Sequence, residues 1–254
     1  MRVTCHEWKD IATRNPNPVA PGDEDVHVWL GTVPVDPAEI SAYARLLDGP
    51  ERLRAERFIG MEARNEFVFG RALLRLLLGR ALRVDPTEVA IGYEARGKPR
   101  LISGSAEGDI RFNLAHSNSL VVIALAKGRE VGVDVEWIGR TVDWPLIAER
   151  VFSASELGGV LALPPEQQEL AFFAGWTRKE AYLKATGEGL TDEISDIECT
   201  FAPGKPAELL RLPGADVEAV SWEIHEIPLP GGFVGALVVE KRRKPRLIGE
   251  TPPG

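Results

Sequence analysis

Apolar and polar positions alternate through VHVWLGTV (26–33), which predicts a strand. Asp36-Pro37-Ala38-Glu39 then reads as a helix start, with aspartate as cap, proline in the first turn and an acid at the third position. That helix is expected to run to about Leu47, and ERLRAERF (51–58) opens a second helical region. A long helix follows over about 61–82, where Phe67, Leu74, Leu77 and Leu78 recur near helical spacing. Short strands are expected at VAIGYE, PRLI, IRFNLA, LVVIALA and EVGVDVEW. Helices are expected at 143–151, 154–162 and 165–185, before strands at ISDIECTF, VSWEIHEI and GGFVGALVVE. Both halves set strands beside a long helix, so the fold class is α+β with two lobes. The expected organisation is a flexible N-terminal arm over 1–25, an N-terminal lobe over 26–112, a C-terminal lobe over 113–240 and a flexible tail over 241–254.

Within EVGVDVEW the pattern poses a question. Val131, Val133 and Val135 share one face of the strand, so Asp134 and Glu136 share the other. Two like charges side by side at the end of an apolar strand must be neutralised or wet. WTRKEAYLKATGEGL (176–190) supplies a partner. It is rich in helix formers and stops at Gly187 and Gly189. Trp176, Glu180 and Lys184 are spaced four apart and lie on one helix face. A Glu-to-Lys pair of this kind is usually surface decoration. Beside Asp134 and Glu136 it becomes three carboxylates and a lysine, a natural seat for Mg2+ bound to a phosphorylated ligand. The segment IRFNLAHSNS (110–119) adds His116 among Asn113, Ser117, Asn118 and Ser119; alone it would read as a hydrogen-bonded turn histidine.

Composition narrows the field. The 254 residues carry a net charge of −8, which argues against general nucleic-acid binding. Residues 51–100 nevertheless hold eleven basic against seven acidic side chains, which suggests an anionic ligand or solvated helix faces with ion pairs. No run approaches the roughly 18 apolar residues of a membrane helix, and the N-terminus has no apolar secretory core. Two distant cysteines, Cys5 and Cys199, argue for a reducing, cytoplasmic setting and against a disulfide framework or zinc site. Gly97-Lys98-Pro99 is not a phosphate-binding P-loop, which requires GxxxxGK[ST].

FGRALLRLLL (69–78), GKP (97–99), NLAHS (113–117), GVDVE (132–136) and WTRKEAYLK (176–184) occur in an order and spacing that together resemble the 4'-phosphopantetheinyl transferases of the Sfp type. The resemblance runs over about 50–190 and is carried most specifically by the last two motifs. It implies a monomer of two similar α+β lobes related by a pseudo-twofold axis, with the active site between them. The implied reaction moves phosphopantetheine from coenzyme A to a serine of an apo acyl or peptidyl carrier protein and releases adenosine 3',5'-bisphosphate, as a holo-[acyl-carrier-protein] synthase does. Asp134, Glu136 and Glu180 would hold Mg2+, Glu180 would serve as ligand, general base or both, and Lys184 would contact the pyrophosphate. Arg71, Lys98 and His116 would surround the 3'-phosphate and adenine end. Many relatives place serine before the motif histidine; Ala115 stands here, which removes a hydroxyl that could contact phosphate. Two other readings share these residues: a Mg2+-dependent CoA pyrophosphohydrolase and a non-catalytic CoA or carrier-protein binding module.

Overall fold

The computed structural model describes residues 1–8, 20–102, 109–139, 141–189, 192–213 and 221–242. The first predicted strand forms as β2 (Asp25–Thr32). Ahead of it, β1 (Arg2–Glu7) pairs parallel to it, from Arg2 opposite Asp25 to Glu7 opposite Leu30. The arm expected to be loose over 1–25 therefore begins as a sheet strand. A parallel pair needs a long connection and leaves no hairpin signal, so the polar composition of the connecting residues hid β1. Residues 9–19 of that arm, and 243–254 of the expected tail, lie outside the described residues.

Helix α1 (Pro37–Ala44) starts as its sequence requires: the Asp36 carboxylate accepts the Ala38 N–H at 2.8 Å. Helix α2 (Gly49–Glu56) opens with a reciprocal capping box between Asp48 and Glu51. Helix α3 (Met61–Leu82) buries Phe69, Leu73, Leu74, Leu77 and Leu78. A small hairpin of β3 (Ile91–Tyr93) and β4 (Pro99–Leu101) follows, then the long hairpin β5 (Ile110–Ser117) and β6 (Leu120–Lys127). Its turn places Asn118 and Ser119 at φ 43° and 70°, a left-handed pair suited to a tight hairpin. The chain continues as β7 (Val131–Trp137), α4 (Trp144–Val151), α5 (Ala154–Leu161) and α6 (Pro165–Thr186). The strand expected at ISDIECTF shrinks to a 3-10 turn (Asp192–Asp196) and the two-residue β8 (Glu198–Cys199), which pairs β9 (Leu209–Arg211). β10 (Trp222–Glu226) and β11 (Phe233–Glu240) close the described fold.

Two larger sheets result, in the orders β1-β2-β6-β5 and β10-β11-β7. Alternation of side chains across each strand creates four layers. One face of the first sheet, with Trp29, Val121, Ile123 and Leu125, packs on α3. One face of the second, with Ala236 and Val238, packs on α6. The remaining faces meet each other through Val28, Leu30, Val122, Ala124, Val131, Val133, Val135 and Leu237. The lobe boundary expected at 112/113 falls inside β5. Because β5 and β6 pair into the sheet of β2, sheet membership changes only between Lys127 and Val131.

Candidate active site

Strand β7 and helix α6 bring the predicted carboxylates together. Val131, Val133 and Val135 point into the apolar layer between the sheets, which turns Gly132, Asp134 and Glu136 toward α6. The helix lies so close that a Cβ at Gly132 would overlap the Ala181 carbonyl oxygen and the Ala185 nitrogen. Glycine at this position lets α6 rest on the strand itself. Lys184 then reaches Asp134, with Nζ 2.6 Å from Oδ1. Trp176 Nε1 donates to Glu136 Oε1 at 3.2 Å. The left-handed Gly187 (φ 75°) ends the helix just past Lys184, as the sequence predicts.

Asp134 and Glu180 are buried, Glu136 is half-buried, and Lys184 offsets the charge of Asp134. Asp134 is 6% exposed, and burial pushes its carboxyl up to about 6 against the pull of Lys184, with Glu136 adding repulsion. Burial likewise raises Glu180 to about 7, with Asp134 and Glu136 adding to the rise and Lys184 opposing it. Asp134 Oδ2 and Glu180 Oε1 are buried with no hydrogen-bond partner. Two such oxygens in one electrostatic cluster are costly as they stand and are suited to a hard cation, which takes oxygen ligands. Among the described residues, no group of three or more acidic, histidine or cysteine side chains is arranged to hold a metal ion in this structure. Glu136 is already engaged: Ser117 Oγ donates to its Oε2 at 3.1 Å, opposite the bond from Trp176.

The residues expected at the anionic end occupy three separate settings. His116 hydrogen-bonds through Nδ1 to Glu66 Oε2 at 3.0 Å and is 41% exposed at the side chain. Arg71 lies against the Phe67 and Tyr93 rings, donates from Nη2 to the Tyr93 hydroxyl at 3.0 Å, and keeps Nη1 buried without a partner. Lys98 donates to Glu130 Oε2 and to the Ala185 carbonyl, both at 2.7 Å. It thereby ties the β3–β4 hairpin to the end of α6. Lys98 also lines a cavity of about 870 Å³ beside Glu94, Arg111 and Glu130, which lies apart from Asp134 and Glu180. Part of the basic excess at 51–100 is structural: Arg75 is fully buried and bonds Glu51 and Asp48, each at 2.6 Å. Ala115 faces the inter-sheet core at 4% exposure, so the departure noted in the sequence falls on a packing position and not on a ligand-facing one.

Other side chains matter here that the sequence pattern did not single out. Asn113 Oδ1 accepts the Val133 N–H at 3.0 Å, and Ser117 Oγ accepts the Trp137 N–H at 3.0 Å, so β5 holds β7 by side chains where the two sheets adjoin. Strand parity was the available signal, since 113, 115 and 117 share one face. Lys179, next to Glu180, turns the other way. It is fully buried and bonds Glu156 at 2.6 Å and the Val151 carbonyl at 2.7 Å, which fixes α6 against α4 and α5.

Comparison with known proteins agrees with this architecture. The profile of the 4'-phosphopantetheinyl transferase superfamily matches residues 130–238, and that of the 4'-phosphopantetheinyl transferase N-terminal domain matches 34–128. The 4'-phosphopantetheinyl transferase HetI of Nostoc sp. is 37% identical over 236 residues, covering 92% of this chain and 94% of the relative. The 4'-phosphopantetheinyl transferase psf-1 of Bacillus pumilus is 33% identical over 67% of this chain and 70% of its own. A 4'-phosphopantetheinyl transferase of Bacillus subtilis is 30% identical over 62% and 68%. With two adjoining profiles and a relative matched over nearly its whole length, the chain belongs to the 4'-phosphopantetheinyl transferases.

Proposed function

We propose that this protein transfers the 4'-phosphopantetheine group of coenzyme A to a serine hydroxyl of apo carrier proteins, in a Mg2+-dependent reaction that releases adenosine 3',5'-bisphosphate. Activity as a holo-[acyl-carrier-protein] synthase, action as a monomer and a cytoplasmic setting form part of this reading. The observation that carries it is the pair of buried, unpartnered oxygens on Asp134 and Glu180 beside Lys184. Asp134, Glu136 and Glu180 would hold the metal. When bound, Mg2+ supplies a Lewis acid that offsets charge on the pyrophosphate.

The chain's own groups supply the rest. The carrier serine Oγ attacks the phosphorus attached to pantetheine, and the bond to the leaving bisphosphate breaks. Glu180, or a water it orients, would accept the serine proton; burial raises its carboxyl to about 7 in the metal-free chain, and a directly bound cation would pull it down, so the base role goes with a water-mediated contact to the metal. Lys184, which reaches Asp134 here, would offset charge on the leaving phosphate. Arg71, whose buried Nη1 has no partner, and His116, with Nε2 left for a further partner, would approach the 3'-phosphate from the separate settings they occupy. Lys98 has two of its three ammonium hydrogens committed, which leaves one for a phosphate oxygen.

The test is the intact mass of an apo carrier protein after incubation with enzyme, coenzyme A and Mg2+. A gain of one phosphopantetheine group is expected. Free phosphopantetheine formed without carrier would instead identify a pyrophosphohydrolase. Binding of coenzyme A with no product would identify a binding module.

A further inference from the structure

Glu136 is held at both ends by groups from different parts of the molecule. The donor at Oε2 is Ser117 on β5, at the edge of the first sheet; the donor at Oε1 is Trp176 on α6, which packs against the second. The serine hydroxyl has little freedom. Its oxygen accepts the Trp137 N–H at 3.0 Å, so its own hydrogen is directed to the carboxylate at 3.1 Å. The indole N–H is a donor only and is spent on Glu136. A glutamate has three side-chain torsions, and one hydrogen bond would leave its plane free to turn. Two bonds from opposite sides fix both position and plane.

We infer that Ser117 and Trp176 are positioning residues that clamp Glu136 in the orientation in which it serves as a metal ligand. The inference rests on the metal role proposed for Glu136 and adds the two groups that set its geometry. Ser117 makes the clamp sensitive to the junction between the sheets, because the same hydroxyl joins β5 to β7. Outer groups that orient metal ligands characteristically change metal affinity when removed, by about 10- to 100-fold.

The experiment is titration of the whole protein with Mn2+, alone and with coenzyme A, following free Mn2+ by electron paramagnetic resonance. Wild type, Ser117→Ala, Ser117→Thr and Trp176→Phe are compared. Ser117→Ala and Trp176→Phe are each expected to bind Mn2+ about 10- to 100-fold more weakly, while Ser117→Thr, which keeps the hydroxyl, restores binding. The steady-state signature is a raised half-saturating metal concentration, with kcat returning toward wild type at saturating metal. A merely structural loss would lower kcat at every metal concentration and would not be rescued by metal. Should Ser117→Ala fail to fold, Trp176→Phe carries the test, because it keeps an aromatic ring in place and removes only the donor. Wild-type binding with unchanged affinity in the folded variants overturns the clamp alone. No Mn2+ binding by wild type in either arm overturns the metal reading and the clamp with it.

Discussion

Asp134 lies beside α6 with one oxygen on Lys184 and the other without a partner. Its carboxyl is raised to about 6, so the folded chain holds that proton more tightly than the unfolded chain does. The resulting stability is fully present below the ordinary carboxylate range near pH 4 and is lost as pH rises through about 6; Glu180 extends the loss to about 7. Metal-free wild type should therefore melt at progressively lower temperature from pH 4.5 to 8. Asp134→Asn should flatten the lower part of that slope and stabilise the protein at pH 8 by on the order of 2 kcal/mol. Melts in chelator across this range check it, and a wild-type melting temperature that rises with pH would sink the assignment. Ala115 gives a second case. Its apolar surroundings between the sheets predict that Ala115→Ser costs about 1–3 kcal/mol, the scale for a hydroxyl buried without a partner, with coenzyme A affinity unimproved; paired melts and binding titrations decide it. Strand alternation made Asp134 and Glu136 legible as one charged face. It did not reveal that Ser117 and Trp176 close on Glu136, because those contacts bring together β5, β7 and α6, whose relative placement is set by tertiary packing.

At the scale of the element, the glycine of GVDVE is as much a part of the site as its acids. The backbone of α6 passes over Gly132 without room for a side chain, and this approach brings Lys184 to Asp134 and Trp176 to Glu136. Gly132→Ala must push the helix off the strand. The expected cost is about 1–3 kcal/mol of overpacking, or more because the opposing atoms are backbone. Transfer should fall at least about tenfold at temperatures where the variant is still folded, since a displacement near 1 Å can cost 10²-fold. Full activity in a folded Gly132→Ala protein would show that the helix sits elsewhere in solution. Most elements were visible from the sequence because amphipathic alternation and helix caps are local. Asp36 and Gly187 begin and end helices as written. β1 was not visible, since its parallel pairing with β2 is made across a long polar connection. The short β8 was over-read because an apolar alternation at 194–201 is partly consumed by a 3-10 turn.

Over the whole molecule, the two lobes share one dry layer. Val122 and Ala124 from the first sheet meet Val133, Val135 and Leu237 from the second, all of them at 0–1% exposure. Either lobe alone would expose this face to water, a larger penalty than the polar, partly wet interfaces through which independent domains usually move. The site depends on the same contact, because Ser117 and His116 come from one sheet while Asp134, Glu136 and α6 come from the other lobe. Sequence motifs from both halves pointed to a shared site. The depth of the contact was hidden, since a strand with one apolar face reads the same whether a helix or another sheet covers it. The expectation is a single cooperative unfolding transition by calorimetry, with the calorimetric enthalpy equal to the van't Hoff enthalpy. Val122→Asp would bury an unpaired charge in the shared layer. It should lower that one transition by the equivalent of about 3–5 kcal/mol, the scale for an uncompensated buried charge, and should not split it. Two resolved peaks in wild type or in Val122→Asp would mean that the lobes fold independently and that the layer between them is not what holds the site together.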